Sequence, residues 1–143
     1  MIQRIQTIYL FIFIVILFFA AFSPFAEIIN NLENPIILTP NGWSYEEGHN
    51  PLYLGYLVSI AFAILMLVSY KNRKKQLRYG KLSYLIVIIT LVYMIMLVNV
   101  EDANKVNYLY GMYLLVSSLP FMFLANRSIK KDEDLVRSLD RLR

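Results

Sequence analysis

The sequence predicts an all-α integral membrane protein: a four-transmembrane-helix bundle with both termini in the cytoplasm and an amphipathic C-terminal helix. Hydrophobic residues make up 58% of the 143 residues and the mean hydropathy is +0.52, whereas soluble domains are roughly 45–50% apolar. A helix that crosses a bilayer needs about 17–25 residues, and four apolar stretches meet that length: residues 8–25, 52–70, 82–98 and 108–125. Little chain remains outside them, so we expect a single membrane domain over residues 1–143.

The first apolar stretch follows Arg4 and resembles a secretory signal at first sight. A signal core usually spans about 7–15 apolar residues. This stretch continues to Phe25, and Pro24 directly follows the best small-residue cleavage site. We therefore expect an uncleaved first span.

The charges between the apolar stretches are sorted by sign. Segment 71–81 contains six Lys or Arg and no acid, whereas segment 27–50 contains four Glu and no Lys or Arg. Short loops rich in Lys and Arg stay cytoplasmic. We therefore expect the basic loop 71–81 inside, the loop 27–50 outside, and both termini inside with the tail 126–143.

Small residues and one proline indicate how the spans pack. Gly55, Ser59 and Ala63 recur at four-residue intervals, which gives a face that another helix can approach closely. Packing within the chain is favoured there over contact with another subunit. Pro120 in the fourth stretch predicts a kink, because proline removes a backbone donor, and the adjacent Ser117 and Ser118 could bond to the freed carbonyls.

The spans contain no Asp, Glu, Lys, Arg or His. Ion-coupled transporters and proton relays depend on such residues inside the membrane, so the pattern disfavours them. The absence of cysteine excludes disulfides and thiolate metal sites. Glu46, Glu47 and His49 come nearest to a metal or catalytic cluster, but a lone loop histidine is more commonly just solvated. We expect no enzymatic activity, no metal and no cofactor.

Two inner segments carry residues suited to partners. The basic loop fixes topology and can hold anionic lipid headgroups, with an acidic protein, or RNA phosphates in a ribosomal contact, as the less favoured alternatives. In the tail, apolar residues fall on one face of a helix. Either the fourth span continues into the tail or the tail docks on a partner, and docking is favoured. The predicted contact residues are Lys71, Arg73, Lys74, Lys75 and Arg78 in the loop, and Leu135, Val136, Arg137, Leu139 and Arg141 in the tail.

Three segments carry a resemblance to a known family: the opening MIQRIQTIYL, the stretch KNRKKQLR and the closing LANRSIKKDEDLVRSLDRLR. With them the chain resembles the DUF 4293 family, small uncharacterised bacterial membrane proteins, over essentially its whole length. The resemblance implies four helices in the bacterial inner membrane and no established activity. No catalytic residue follows from it.

Three hypotheses of function are open at this point. The favoured one is a non-enzymatic accessory subunit of a larger inner-membrane complex, of the protein-export or respiratory kind, with its cytoplasmic face on a partner. The second is a small transporter or a lipid- or quinone-binding protein, with a pocket lined by Tyr93, Ser117, Ser118 and the Pro120 kink. The third, an enzyme using Glu46, Glu47 and His49, is disfavoured.

Overall fold

A computed structural model describes residues 2–29, 35–44, 52–70, 72–100 and 105–141. Four helices dominate it, and four short strands form one small sheet. The helices are α1 (Ile2–Phe22), α2 (Tyr53–Val68), α3 (Arg73–Val100) and α4 (Tyr110–Arg141), and the strands are β1 (Ala26–Ile29), β2 (Ile36–Thr39), β3 (Gly42–Trp43) and β4 (Lys105–Tyr108).

Three of these helices are long and apolar enough to cross a membrane: α1, α3 and α4. The fourth predicted span corresponds to α2, which has 16 residues. At 1.5 Å per residue it is about 24 Å long, less than the roughly 30 Å of a bilayer core. The helices face outward with large apolar side chains, among them Phe11, Phe18, Leu85 and Phe123.

The all-α prediction needs one correction, because the structure also contains a small four-stranded sheet. Its strands are antiparallel, in the order β3-β2-β1-β4. β2 and β3 are joined by a tight turn in which the Thr39 hydroxyl donates to the Gly42 carbonyl (2.9 Å) and Gly42 adopts φ 119°. Strands of two to four residues are too short to show the alternation that identifies a strand in sequence, so this segment was predicted as a loop.

The sheet joins the end of α1 to the start of α4. β1 pairs with β4 in the register Ala26–Tyr108 to Ile29–Lys105. Beside that ladder, the Gly111 amide donates to the Pro24 carbonyl (2.9 Å). A Cβ on Gly111 would lie 2.6 Å from that oxygen, so the close approach requires glycine.

The basic segment is helical from Arg73 onward, where a loop was predicted. Asn72 precedes the helix, and its side-chain oxygen accepts a hydrogen bond from the Lys75 amide (3.2 Å), as an N-cap residue does. The loop between α2 and α3 therefore shrinks to a few residues, of which Lys71 lies outside the described residues.

The fourth span continues into the tail, because α4 runs unbroken from Tyr110 to Arg141, and docking of the tail on a partner stays a prediction. The buried positions of α4 recur at alternating intervals of four and three residues, the repeat of a helix packed along a seam. These positions are Gly111, Leu115, Ser118, Met122, Ala125 and Ile129. They pack with the buried face of α1, which carries Leu10, Phe13 and Leu17.

Candidate functional site at the basic end of the bundle

The bundle has two unlike ends. One carries the sheet. The other, called the basic end below, brings together the start of α1, the α2–α3 turn with the first turns of α3, and the part of α4 from Asn126 onward. Most of the contact residues predicted from the sequence belong to it.

An ion pair joins α3 to α4 at the basic end. The Arg73 guanidinium donates through Nη1 to the backbone carbonyl of Asp132 (2.6 Å), and its Nη2 lies 3.2 Å from Asp132 Oδ2. The two side chains are 27% and 14% exposed. Arg73 was predicted to contact a partner or lipid. In the structure its guanidinium instead contacts Asp132 of α4.

A cavity of about 260 Å³ lies beside this pair, where all four helices meet. Gln6 of α1 is 5% exposed, and its Nε2 has no hydrogen-bond partner among the described residues. An unpaired buried amide is costly, so the cavity suits a water or another small group that can accept from this donor. Its lining residues are Gln6, Thr7, Leu10, Leu67, Tyr70, Arg73, Gln76, Ile129 and Asp132.

A second, more open groove of about 550 Å³ runs between α3 and α4. It is lined by Leu77 and Lys81 of α3 and by Phe123, Asn126, Arg127, Lys130, Glu133 and Asp134 of α4. The residue that faces the Asn126 side chain is Gly80. Any residue with a Cβ at position 80 would collide with Asn126 Oδ1, so glycine leaves the room for this side chain. That oxygen is buried and has no donor among the described residues.

The remaining predicted cations lie on the outer surface of α3. Lys74, Lys75 and Arg78 are exposed. The first turn of α3 contains no acidic residue of its own, and the acid that reaches it, Asp132, pairs with Arg73 and not with Lys74 or Lys75. Anions are favoured at such a terminus by about 0.3–1 kcal/mol each, and cations are correspondingly disfavoured.

The tail extends the seam of α4 beyond the bundle. After Ile129 the four-three repeat continues with Asp132 and then Val136, and the next position in the sequence is Leu139. Val136 is 42% exposed and the adjacent Leu135 is 46% exposed. The side chains of Arg137, Leu139 and Arg141 lie outside the described residues, although α4 includes their backbone.

The small-residue stripe of α2 faces α3. A Cβ on Gly55 would collide with Thr90, and the Ser83 hydroxyl donates to the Ser59 carbonyl (2.9 Å). Ala63 is fully buried. The stripe therefore contacts a helix of the same chain.

Pro120 lies within α4 on an exposed position. The neighbouring serines donate to the carbonyls of Leu114 and Leu115. Proline at position 120 has no N–H to donate to the carbonyl of residue 116. The two serines do not donate to that carbonyl either.

The pocket of the second hypothesis is not formed by its four residues. Tyr93 is 52% exposed, Ser117 and Pro120 are also exposed, and Ser118 alone of the four is buried. Glu46, Glu47 and His49 lie outside the described residues. Among the residues that are described, no three His, Cys, Asp or Glu side chains come together as metal ligands would.

Several residues of the basic end were missed from the sequence: Gln6, Gln76, Asn126 and Asp132. Gln6 carries a recognisable signal, because it precedes Leu10, Phe13 and Leu17 at helical spacing and so belongs to the buried face of α1. Asp132 likewise continues the seam of α4. Polar residues on a buried face are the ones most apt to line a cavity.

Comparisons with known proteins place the chain in a family. No curated protein and no solved structure matches it. One family model matches residues 2–142, nearly the full length, and its description is "Domain of unknown function (DUF4293)". The match includes the segments that carried the resemblance, apart from the outermost residues Met1 and Arg143. The chain is therefore a member of the DUF4293 family.

Proposed function

We propose that this protein is a non-enzymatic accessory subunit of a larger complex in the bacterial inner membrane, and that its basic end docks a partner protein. In this proposal both termini are cytoplasmic. Support comes from the charge distribution, since Lys74, Lys75 and Arg78 lie at the end of the bundle where α1 begins and α4 ends, and cytoplasmic segments are enriched in Lys and Arg.

One observation carries the proposal: the four-three repeat of α4 continues past the last position that is buried in the bundle. Inside the bundle, each seam position from Leu115 to Ile129 is buried. At Val136, seven residues beyond Ile129, the same face is 42% exposed. When apolar residues recur on a helix face beyond the core of the bundle, that face is suited to pack against another helix.

The chemistry of the partner follows from what surrounds this face. An apolar surface, such as the face of another helix, would cover Leu135 and Val136. Acidic side chains would pair with Lys74 and Lys75, which lie in the first turn of α3 and form no described ion pair. A protein helix with acidic flanks satisfies both, whereas RNA would satisfy the cations alone.

The test is affinity purification in mild detergent of three tagged proteins: wild type, Val136→Asp and Ser138→Asp. Ser138 is exposed on the opposite side of the same turn of α4, so its variant adds the same charge away from the seam. We expect wild type and Ser138→Asp to retain the same membrane complex and Val136→Asp to lose it. Equal recovery by all three proteins, or recovery of no complex by wild type, would contradict the proposal. A dimer of this chain alone, seen by light scattering, would contradict it too.

A further inference from the structure

The groove between α3 and α4 at the basic end is lined by residues that the docking proposal does not use. The geometry points to a site for one phospholipid with a phosphoethanolamine headgroup. Its phosphate would lie among Lys81, Arg127 and Lys130, and its ammonium against Glu133 and Asp134. The acyl chains would leave the groove past Phe123.

The charges of the groove are the first argument. Five charged side chains line it, and none pairs with a described residue, since the described ion pair is Arg73–Asp132. Lys130 and Asp134 stand four residues apart on one helix, a spacing at which opposite charges commonly meet. Here both remain open to the groove, so a ligand with both signs of charge can pair with each.

The depth of the groove is the second argument. Lys81 is the last charged residue before the apolar stretch of α3, and Arg127 is the first after the apolar stretch of α4. The groove therefore lies where the apolar surface of the bundle ends, which is the level of lipid headgroups. Phe123, one turn deeper than Arg127, is exposed on the apolar side.

The order of the groups along α4 is the third argument. From the apolar side outward the lining reads Phe123, Arg127, Lys130, then Glu133 and Asp134. At 1.5 Å per residue, Lys130 and Asp134 are about 6 Å apart along the axis, which is the scale of the phosphate-to-amine spacing in ethanolamine. Acyl chain, phosphate and amine follow one another in the same order.

The wall of the groove is also polar at the level of the cations. Asn126 Oδ1 is buried there without a described donor, and Gly80 leaves the space that holds its amide. A buried polar group beside the cations makes this wall a better neighbour for a polar headgroup than for an acyl chain.

The two acids discriminate among headgroups. A phosphatidylglycerol headgroup is anionic and offers no cation to Glu133 and Asp134. Phosphatidylcholine has a cation, but its quaternary nitrogen has no N–H to donate. Phosphatidylethanolamine alone of the three offers a phosphate and an N–H-bearing ammonium, and charge-assisted hydrogen bonds are the stronger kind.

The experiment measures lipid bound to the purified full chain by native mass spectrometry. The protein is delipidated in detergent and offered equimolar phosphatidylethanolamine, phosphatidylcholine and phosphatidylglycerol with identical acyl chains. We expect a single adduct enriched in phosphatidylethanolamine by about tenfold, the ratio that one charge-assisted hydrogen bond supplies. Equal binding of the three lipids, or preference for phosphatidylglycerol, would overturn the inference.

Variants separate the two halves of the site. Glu133→Gln with Asp134→Asn is expected to bind phosphatidylethanolamine and phosphatidylcholine equally, while total lipid binding persists. Lys130→Gln is expected to lose adducts of all three lipids. Lys131→Gln, which removes an exposed cation of the same helix that does not line the groove, should behave as wild type. If the Glu133/Asp134 variant still prefers phosphatidylethanolamine to phosphatidylcholine, the site is refuted, even where wild type shows the preference. Circular dichroism checks that each variant keeps its helices.

Discussion

Arg73 and Asp132 are 59 residues apart in the chain, yet the guanidinium contacts both the backbone carbonyl and the carboxylate of the aspartate, at 2.6 and 3.2 Å. The pair closes α3 onto α4 at the point where the bundle ends. Asp132 lies about one helical turn before the exposed face at Leu135 and Val136. The ion pair therefore sets the position of the surface that we propose for docking.

Removal of the Asp132 charge tests the importance of this pair. We expect Asp132→Asn to lower the free energy of unfolding in detergent by about 1–3 kcal/mol, because the partly buried guanidinium keeps one hydrogen bond but loses its counter-ion. Asp134→Asn, an exposed carboxylate without a described ion pair, is the matched control and should change stability by less than about 0.5 kcal/mol. In a double-mutant cycle with Arg73→Gln, additive losses would show that the two side chains are not coupled.

The junction of α1 and α4 should be intolerant of a side chain at residue 111. A Cβ there would lie 2.6 Å from the Pro24 carbonyl oxygen and 2.8 Å from that of Ser23. Both obstacles are backbone atoms, which cannot rotate away. We expect Gly111→Ala to cost about 1–3 kcal/mol, measured by thermal unfolding. Val116→Ala, exposed on the same helix, should be nearly neutral, and a neutral Gly111→Ala would show that the two helices separate there more readily than the structure indicates.

Packing of α2 on α3 can be tested with a rescue. Gly55→Ala places a methyl group against the Thr90 side chain, and we expect a loss of about 1–2 kcal/mol. Thr90→Ala removes the obstructing atoms, so the double variant should recover most of that loss. Thermal unfolding of the four proteins in the same detergent gives the comparison. If the double variant is less stable than Gly55→Ala, the contact is not the source of the loss.

The proposed topology has a direct test because the chain contains no cysteine. Single cysteines at Lys74 and Asn41, both exposed, mark the basic end and the sheet end. We expect a membrane-impermeant maleimide to label Asn41→Cys in intact spheroplasts and Lys74→Cys only after lysis. The reverse pattern would invert the topology, and labelling of both in intact cells would show that the chain does not separate two compartments.

The sequence predicted the helices well because long apolar runs determine their own structure in lipid, where every backbone group must be paired within the segment. It also identified the family, which depends on the patterns of the two termini. It did not reveal the sheet, because the pairing of Glu27 with Asn107 is a long-range relationship between strands of four residues. Nor did it show that Lys74 and Lys75 begin a helix, since a cluster of cations at a helix start runs against the dipole and is typical of a loop.

The candidate site was only partly predictable for a related reason. Exposed residues such as Lys75 and Val136 can be identified from charge and spacing alone. The cavity at Gln6 and the groove at Asn126 depend on which helices are neighbours, and four helices can be arranged in several ways around the same apolar faces. Gly80 illustrates the limit, because its role appears only when Asn126 of another helix is placed opposite it.

The strand that follows the first helix finds one of its two neighbours only near the end of the chain, in the residues that precede α4. During synthesis, β1 can therefore complete its pairing only after β4 has been made, with α4 still to follow. Pairing of these distant strands is thus a late step in folding, because α1, α2 and α3 are all synthesised before β4.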